Sequence, residues 1–384
     1  MYHEPTGDET AGHSHYKVVL STYEKFMEEQ SIPIYKGVGA YDVRQLPLAP
    51  WKQMGGRGTF IELDGQVGVF GMYLVEVPAG GVLNPEKHIY EELFLVIEGH
   101  GSTEVWREGS SKKQTFEWQP YSHFAIPLNT SHRLVNATSS PALVLVTTSA
   151  PRVMESFPTR SFVFGNPWVF SDHYDESQDY FKPRDELEPA PGSGRAMLRS
   201  NLIPDIAHCP LPLDNNRGPG HRMFSPQMAG NTFFGGFVAE YPSGRYSKGH
   251  YHCACAVLVC LRGKGYSYTW PVELGPRPWE AGKGHLVKRQ DYAPGGIVSA
   301  VPSGGDWFHQ HFSTGKDFLR VRAFIRHVFR LGEAGEETVG AGAELSQGGR
   351  AIGYREEDPQ ILKDYLEALK REGVQFQMPK SVYA

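Results

Sequence analysis

Two stretches of this chain are copies of one another, and that duplication limits the possible folds more than any other feature. In the first, Gly80 precedes Glu86-Lys87-His88-Ile89-Tyr90-Glu91-Glu92, and the run closes at Glu98-Gly99-His100-Gly101. In the second, Gly244 precedes His250-Tyr251-His252, and the run closes at Arg262-Gly263-Lys264-Gly265. Each copy returns after a proline, Pro127 or Pro302, with a further histidine, His132 or His309. Around these landmarks lie short β-branched and aromatic runs separated by Gly and Pro turns, for example at residues 67–70, 72–77, 93–97, 142–146 and 231–241. Evenly spaced short strands predict an all-β fold, with one sandwich or barrel per copy. A duplicated unit also predicts one chemical face per copy.

The duplication divides the 384 residues into five parts. These are an N-terminal helical extension (1–55), an N-terminal barrel (56–151), a Pro-rich connector (152–228), a C-terminal barrel (229–330) and a tail with an amphipathic helix (331–384). The spacing predicts a helix over 16–30 with Val19, Tyr23 and Met27 on one face. A second helix begins with Asp358 as N-cap and Pro359 as first residue, and carries Ile361, Leu362, Tyr365 and Leu369 on the face that docks on a barrel or a second subunit. With 40% hydrophobic and 21% charged residues the composition is that of a soluble globular protein. A net charge of -5 excludes the basic footprint of a nucleic-acid binder. No apolar run reaches a membrane span and no apolar leader follows Met1, so the cytoplasm is the expected compartment. The four cysteines are too few for a disulfide framework, and Cys253 and Cys255 are expected to pack away from His250 and His252. The glycines of 335–349 lack the lysine and the strand-to-helix frame of a phosphate loop.

The chemistry is carried by histidines. His250 and His252 lead into an apolar run that reads as a strand, where i and i+2 share a face. Paired imidazoles with His309 returning beside them form the start of a transition-metal site. The plain alternative is a pair of half-buried histidines bonded to backbone carbonyls, and the upstream copy weighs against it. In that copy Glu86, His88, Glu92 and His132 form a second donor set, because positions 86, 88 and 92 share strand parity. Such a set suits Mn(II), Fe(II) or Zn(II); the alternative is that Glu86 and Glu92 bond to Tyr90 or lie at a barrel mouth, in a copy that is purely structural. His311 shares the face of His309, as a further ligand or as a group that bonds substrate. Arg245, Tyr246, Arg320 and Arg322 are candidates to grip a substrate carboxylate, the alternative for each arginine being a solvated residue at the barrel rim. His208, His221 and His285 sit in turn-rich contexts and read as surface or supporting residues.

These landmarks resemble the cupin superfamily, specifically its two-domain bicupins. Gly80, Glu86, His88, Glu92 and Gly99 match the first cupin motif, with Glu86 where the first histidine usually stands. Pro127, His132 and Asn136 match the second motif, with Asn129 replacing its glycine. In the other copy Gly244, His250, His252 and Gly263 match, but Ala256 takes the glutamate position. Pro302, Gly304, His309 and Ser313 follow there, with extra residues before the histidine and Ser313 replacing asparagine. The resemblance implies two double-stranded β-helix (jelly-roll) barrels. The all-histidine set His250, His252 and His309, with Trp307-Phe308-His309-Gln310-His311, looks like the three-histidine Fe(II) dioxygenases related to gentisate 1,2-dioxygenase. That likeness implies Fe(II), O2 and a small anionic aromatic or enolic acid. His311, Arg245 and Tyr246 are the candidates to assist, and the helices outside the barrels make a homo-oligomer the expected state. The alternatives are a Mn(II) bicupin decarboxylase, a metal-dependent lyase or isomerase, and a non-catalytic binding bicupin.

Overall fold

The computed structural model describes residues 17–252, 255–303, 305–326, 339 and 342–384. In the C-terminal half, strands Phe234–Tyr241, Ala256–Arg262, Ile297–Ser299 and Leu319–Arg326 lie in one sheet. Strands His250–His252, Gly265–Pro271, Lys288–Tyr292 and Trp307–Ser313 form the other. Along the chain the strands alternate between the larger and the smaller sheet, with one hairpin inside the smaller, which is the winding of a jelly roll. The N-terminal half repeats it, with Gly71–Val77, Glu92–Glu98, His123–Ile126 and Ala142–Thr148 in the larger sheet. Gly101–Trp106, Lys113–Trp118 and Ser131–Val135 make the smaller one, and bridges Val82↔Val135 and Glu86↔His132 stand where His250–His252 stands in the second barrel. In both halves the last strand pairs with the first two of the larger sheet. The fold is all-β, two jelly-roll barrels with helical extensions, as the sequence predicts.

The strands of the larger sheets read as unbroken apolar runs because both of their faces are covered. Val144 and Val146 point into the core of the N-terminal barrel. Leu143 and Leu145 point the other way, into a core shared with Val257, Val259, Leu261 and Phe324 of the second barrel. Ala256, Leu258 and Cys260 face that barrel's own interior. Cys255 lies in the shared core, whereas Cys253 falls outside the described residues.

The closing glycines of the two copies are required by geometry. Gly99 has φ 87° and a Cβ there would lie 2.6 Å from Ala142 Cα; Gly263 has φ 83° and its Cβ would lie 2.1 Å from the Phe318 carbonyl oxygen. Asn129, where the motif has glycine, adopts φ 55°, a region asparagine tolerates.

Several elements differ from the sequence expectation. The first helix spans Thr22–Glu29, with Tyr23, Phe26 and Met27 buried. Ser21 and Glu24 form a capping box that starts it there, so Val19 lies outside the helix and is exposed. The extension also supplies Gly39–Ala40 to the C-terminal barrel, paired with Ile297 and Val298. The stretch 152–228 is more than a connector: Leu202–Ile203 pairs with His123 and Phe124 of the N-terminal barrel, and Arg222–Gln227 pairs with Phe234–Tyr241 of the other. The tail helix Pro359–Glu372 forms as expected and packs Ile361, Tyr365 and Leu369 on the C-terminal barrel, Tyr365 donating to the Ser313 carbonyl at 2.7 Å. Among the described residues no helix is long and apolar enough to cross a membrane.

Candidate metal centres

In the N-terminal barrel the donor atoms of His88, Glu92 and His132 all lie within 4.8 Å of one another. Glu92 heads its strand with the parity of Phe94 and Val96, so its carboxylate enters the barrel. His88 Nε2 is 3.1 Å and His132 Nε2 3.8 Å from Glu92 Oε2. The other ring nitrogens turn to backbone carbonyls, His88 Nδ1 to Tyr90 at 3.0 Å and His132 Nδ1 to Thr130 at 3.2 Å. A carbonyl only accepts, so each Nδ1 carries the hydrogen and each Nε2 presents its lone pair. Two imidazole lone pairs therefore face a carboxylate oxygen, an arrangement that needs a proton or a cation at its centre. Tyr73 orients the carboxylate by donating to Glu92 Oε1 at 2.8 Å. Burial holds both imidazoles down, to about 4, so they are uncharged at neutral pH. Burial also raises Glu92 to about 7, against the pull of His132 and Tyr73. His132 Nε2 is buried without a hydrogen bond. This donor set fits a divalent cation.

Glu86, expected as a fourth ligand, does not join the set of mutually close donor atoms. Its backbone exchanges hydrogen bonds with His132 at 2.9 and 3.0 Å, in the register that His250 has with His309. The backbone position is right, but the carboxylate does not converge with the others. Burial, followed by the charge of Glu92, raises its carboxyl to about 8.

In the C-terminal barrel His250, His252 and His309 bring their donor atoms within 4.8 Å of one another. The register sets His250 opposite His309, with ring centroids 4.1 Å apart, and His252 lies 4.6 Å from His309. His309 Nδ1 faces the Trp307 carbonyl at 3.3 Å, repeating the relation of His132 to Thr130. His250 Nδ1 is buried without a hydrogen-bond partner. Burial, with smaller pushes from neighbouring imidazoles and Arg217, holds His250 and His309 well below the ordinary histidine value. Ala256 heads its strand as Glu92 heads its own and faces the interior, so no carboxylate enters from that position. His311 is not in the cluster. Its Nδ1 lies 2.6 Å from Ser267 Oγ, its ring 5.6 Å from that of His309, and burial holds it down to about 3.

The expected carboxylate grips are elsewhere. Tyr246 lies opposite Phe312, whose parity is the reverse of His311, and so faces outward. Its hydroxyl meets Glu357 and Tyr383, and its ring stacks 5.3 Å from Phe312 under the tail helix. Arg245 donates to the Pro219 carbonyl at 3.1 Å. Arg320 pairs with Glu240 at 2.6 Å, and Arg322 reaches His123 of the other barrel at 3.2 Å. Both arginines alternate with Val321 and Ala323, which fill the barrel interior, so both point out of it.

Among the described residues Arg217, which the sequence reading missed, is a cation whose charge reaches the cluster. It is 8% exposed, and its charge acts on His250, His309 and His311. His221, read as a surface or supporting residue, is 1% exposed and bonds Asp214. Nothing in the spacing of 214–221 marks these side chains, because a loop's inward residues carry no period. His208, paired with Asp205 at 2.8 Å, and His285 are exposed as expected.

No family model and no curated sequence matches this chain. Similar solved structures include an oxalate decarboxylase of Bacillus subtilis, at 10% identity and TM-score 0.46, covering 75% of this chain and 77% of that one. A formate complex of Lactobacillus farciminis oxalate decarboxylase has 9% identity and TM-score 0.45, covering 74% and 85%. Vicilin of Corylus avellana (hazelnut) has 13% identity and TM-score 0.46, covering 75% and 85%. At these identities and TM-scores the likenesses carry no weight for chemistry, which rests on the strand order and the two clusters.

Proposed function

We propose that this protein is a metal-dependent enzyme that converts a small anionic substrate, a hydroxylated aromatic or enolic acid, at the His250–His252–His309 centre. One observation carries the reading: three imidazoles converge inside the barrel with Ala256 where the other barrel has Glu92. Imidazoles suit Fe(II), Mn(II) or Zn(II). Bound Fe(II) would supply the electron transfer that lets O2 take part in oxidative cleavage. The remaining work falls to the chain. An all-imidazole set leaves a cation's charge uncompensated, so a carboxylate is favoured at the centre. His311, steadied by Ser267, offers its second ring nitrogen to a substrate oxygen.

A second reading, a metal-dependent decarboxylase or lyase, is supported by the other cluster. Two imidazoles and the Glu92 carboxylate form a donor set that suits Mn(II).

The test is the metal content, by mass spectrometry, of protein purified without chelators or added metal. About one iron per chain, lost on His250→Ala, with O2 uptake on hydroxylated aromatic acids, is the expected result. Manganese with carbon dioxide release and no O2 uptake selects the decarboxylase or lyase. Protein that holds no metal and takes up none on reconstitution leaves a binding protein.

A further inference from the structure

His221 stands outside the metal cluster but is held like a proton-transfer group. Its Nδ1 lies 3.3 Å from Asp214 Oδ1. Arg195 clamps Asp214 from the other side, Nε and Nη2 each donating at 3.0 Å. The backbone closes the loop, since Asp214 N and Asn215 N donate to the His221 carbonyl at 2.9 and 3.1 Å. Burial works against the charge on Asp214, but hydrogen bonds from His221 and Arg195 outweigh it and hold the carboxyl well below its ordinary value. An ionised carboxylate accepts, so Nδ1 carries the hydrogen and Nε2 the lone pair.

That Nε2 is buried and has no hydrogen-bond partner among the described residues. Leaving such an atom unpaired costs about 1–3 kcal/mol, a cost that a hydroxyl donor bound against it would remove. The ring lies 5.0 Å from that of Tyr241, which lies 5.8 Å from His311. His311 in turn adjoins His309. Burial, helped by the charges of Arg217 and Arg195, holds His221 below the ordinary histidine value against the pull of Asp214, so the ring is uncharged and its lone pair free to take a proton.

We propose that His221 is the proton acceptor of the C-terminal centre, taking the hydroxyl proton of a hydroxy-acid substrate at Nε2, with Asp214 and Arg195 as its positioning residues. The substrate O–H bond breaks and its electron pair stays on oxygen. The proton forms an N–H bond on His221, whose new charge faces ionised Asp214. No co-reactant is consumed, and the proton returns to the product. The proposal rests on the small-anion reading above.

The test is calorimetric titration of salicylate, as probe, into the metal-loaded full-length protein in buffers of different ionisation enthalpy. Wild-type protein is expected to bind without net proton release, because the hydroxyl proton stays on His221. At unchanged metal content His221→Gln is expected to release about one proton per salicylate bound, and Asp214→Asn to move the same way. Asp214→Asn keeps the side-chain shape and reads the same proton if His221→Gln does not fold. Equal proton counts in wild type and variants overturn the proposal and leave the small-anion reading standing. Salicylate that does not bind metal-loaded wild type overturns that reading and the proposal with it.

Discussion

Glu92 and Ala256 head corresponding strands of the two barrels and differ by a carboxylate. A charge about 4 Å from a bound cation is worth on the order of 4 kcal/mol at an effective dielectric of 20. Ala256→Glu is therefore expected to tighten metal binding at the C-terminal centre and to weaken salicylate at least about tenfold. Calorimetry with parallel metal analysis reads both, and unchanged salicylate affinity at full metal loading would sink the charge argument. The pairing of His132 with Thr130 and of His309 with Trp307 through the same Nδ1-to-carbonyl contact was not in the motif. It fixes which ring nitrogen each presents.

At the scale of elements, the tail helix depends on Asp358 at both of its ends of contact. One carboxylate oxygen caps Gln360 N at 3.0 Å, and the other accepts from Trp279 N and Glu280 N at 2.7 and 3.0 Å. Asp358→Ala should cost more than a simple cap, about 2 kcal/mol or more, read as a lower denaturation midpoint. Its neighbour Glu357 is raised from 4.5 to about 7, chiefly by burial against the hydrogen bonds of Tyr246 and Gln310. A raised carboxyl holds its proton more tightly when folded, so it favours the fold below its unfolded pKa. That contribution is lost as pH climbs from about 4.5 through 7. Glu357→Gln should therefore gain in melting temperature relative to wild type between pH 5 and pH 8. A difference that stays constant across that range would contradict the assigned direction.

At the scale of the molecule, the barrels are joined by a shared apolar core, and the N-terminal extension and the 152–228 stretch add edge strands to the barrel sheets. Glu91 stitches them further, its buried carboxylate accepting from Thr232 N at 2.7 Å and Phe233 N at 3.1 Å. Removing it leaves buried donors unpaired, so Glu91→Ala should destabilise by about 2–3 kcal/mol. Scanning calorimetry should show wild type unfolding in a single transition and the variant melting lower, with its two halves beginning to separate. Two separate transitions in wild type would mean that the common core does not couple the barrels.

The sequence alone determined the duplication, the all-β class, the tail helix with its cap, and the histidine clusters, because alternation and fixed motif spacing are local and periodic. Parity within a strand puts 86, 88 and 92 on one face, His250 with His252, and His309 with His311. Tertiary structure decided what has no period. It decided which of a strand's two faces is the interior, and so turned Tyr246, Arg320 and Arg322 out of the barrel. It kept Glu86 out of the N-terminal donor set although its backbone register is right. It folded Arg217 and His221 inward from a loop whose composition reads as surface, because a loop's side chains take their direction from the barrel they close over.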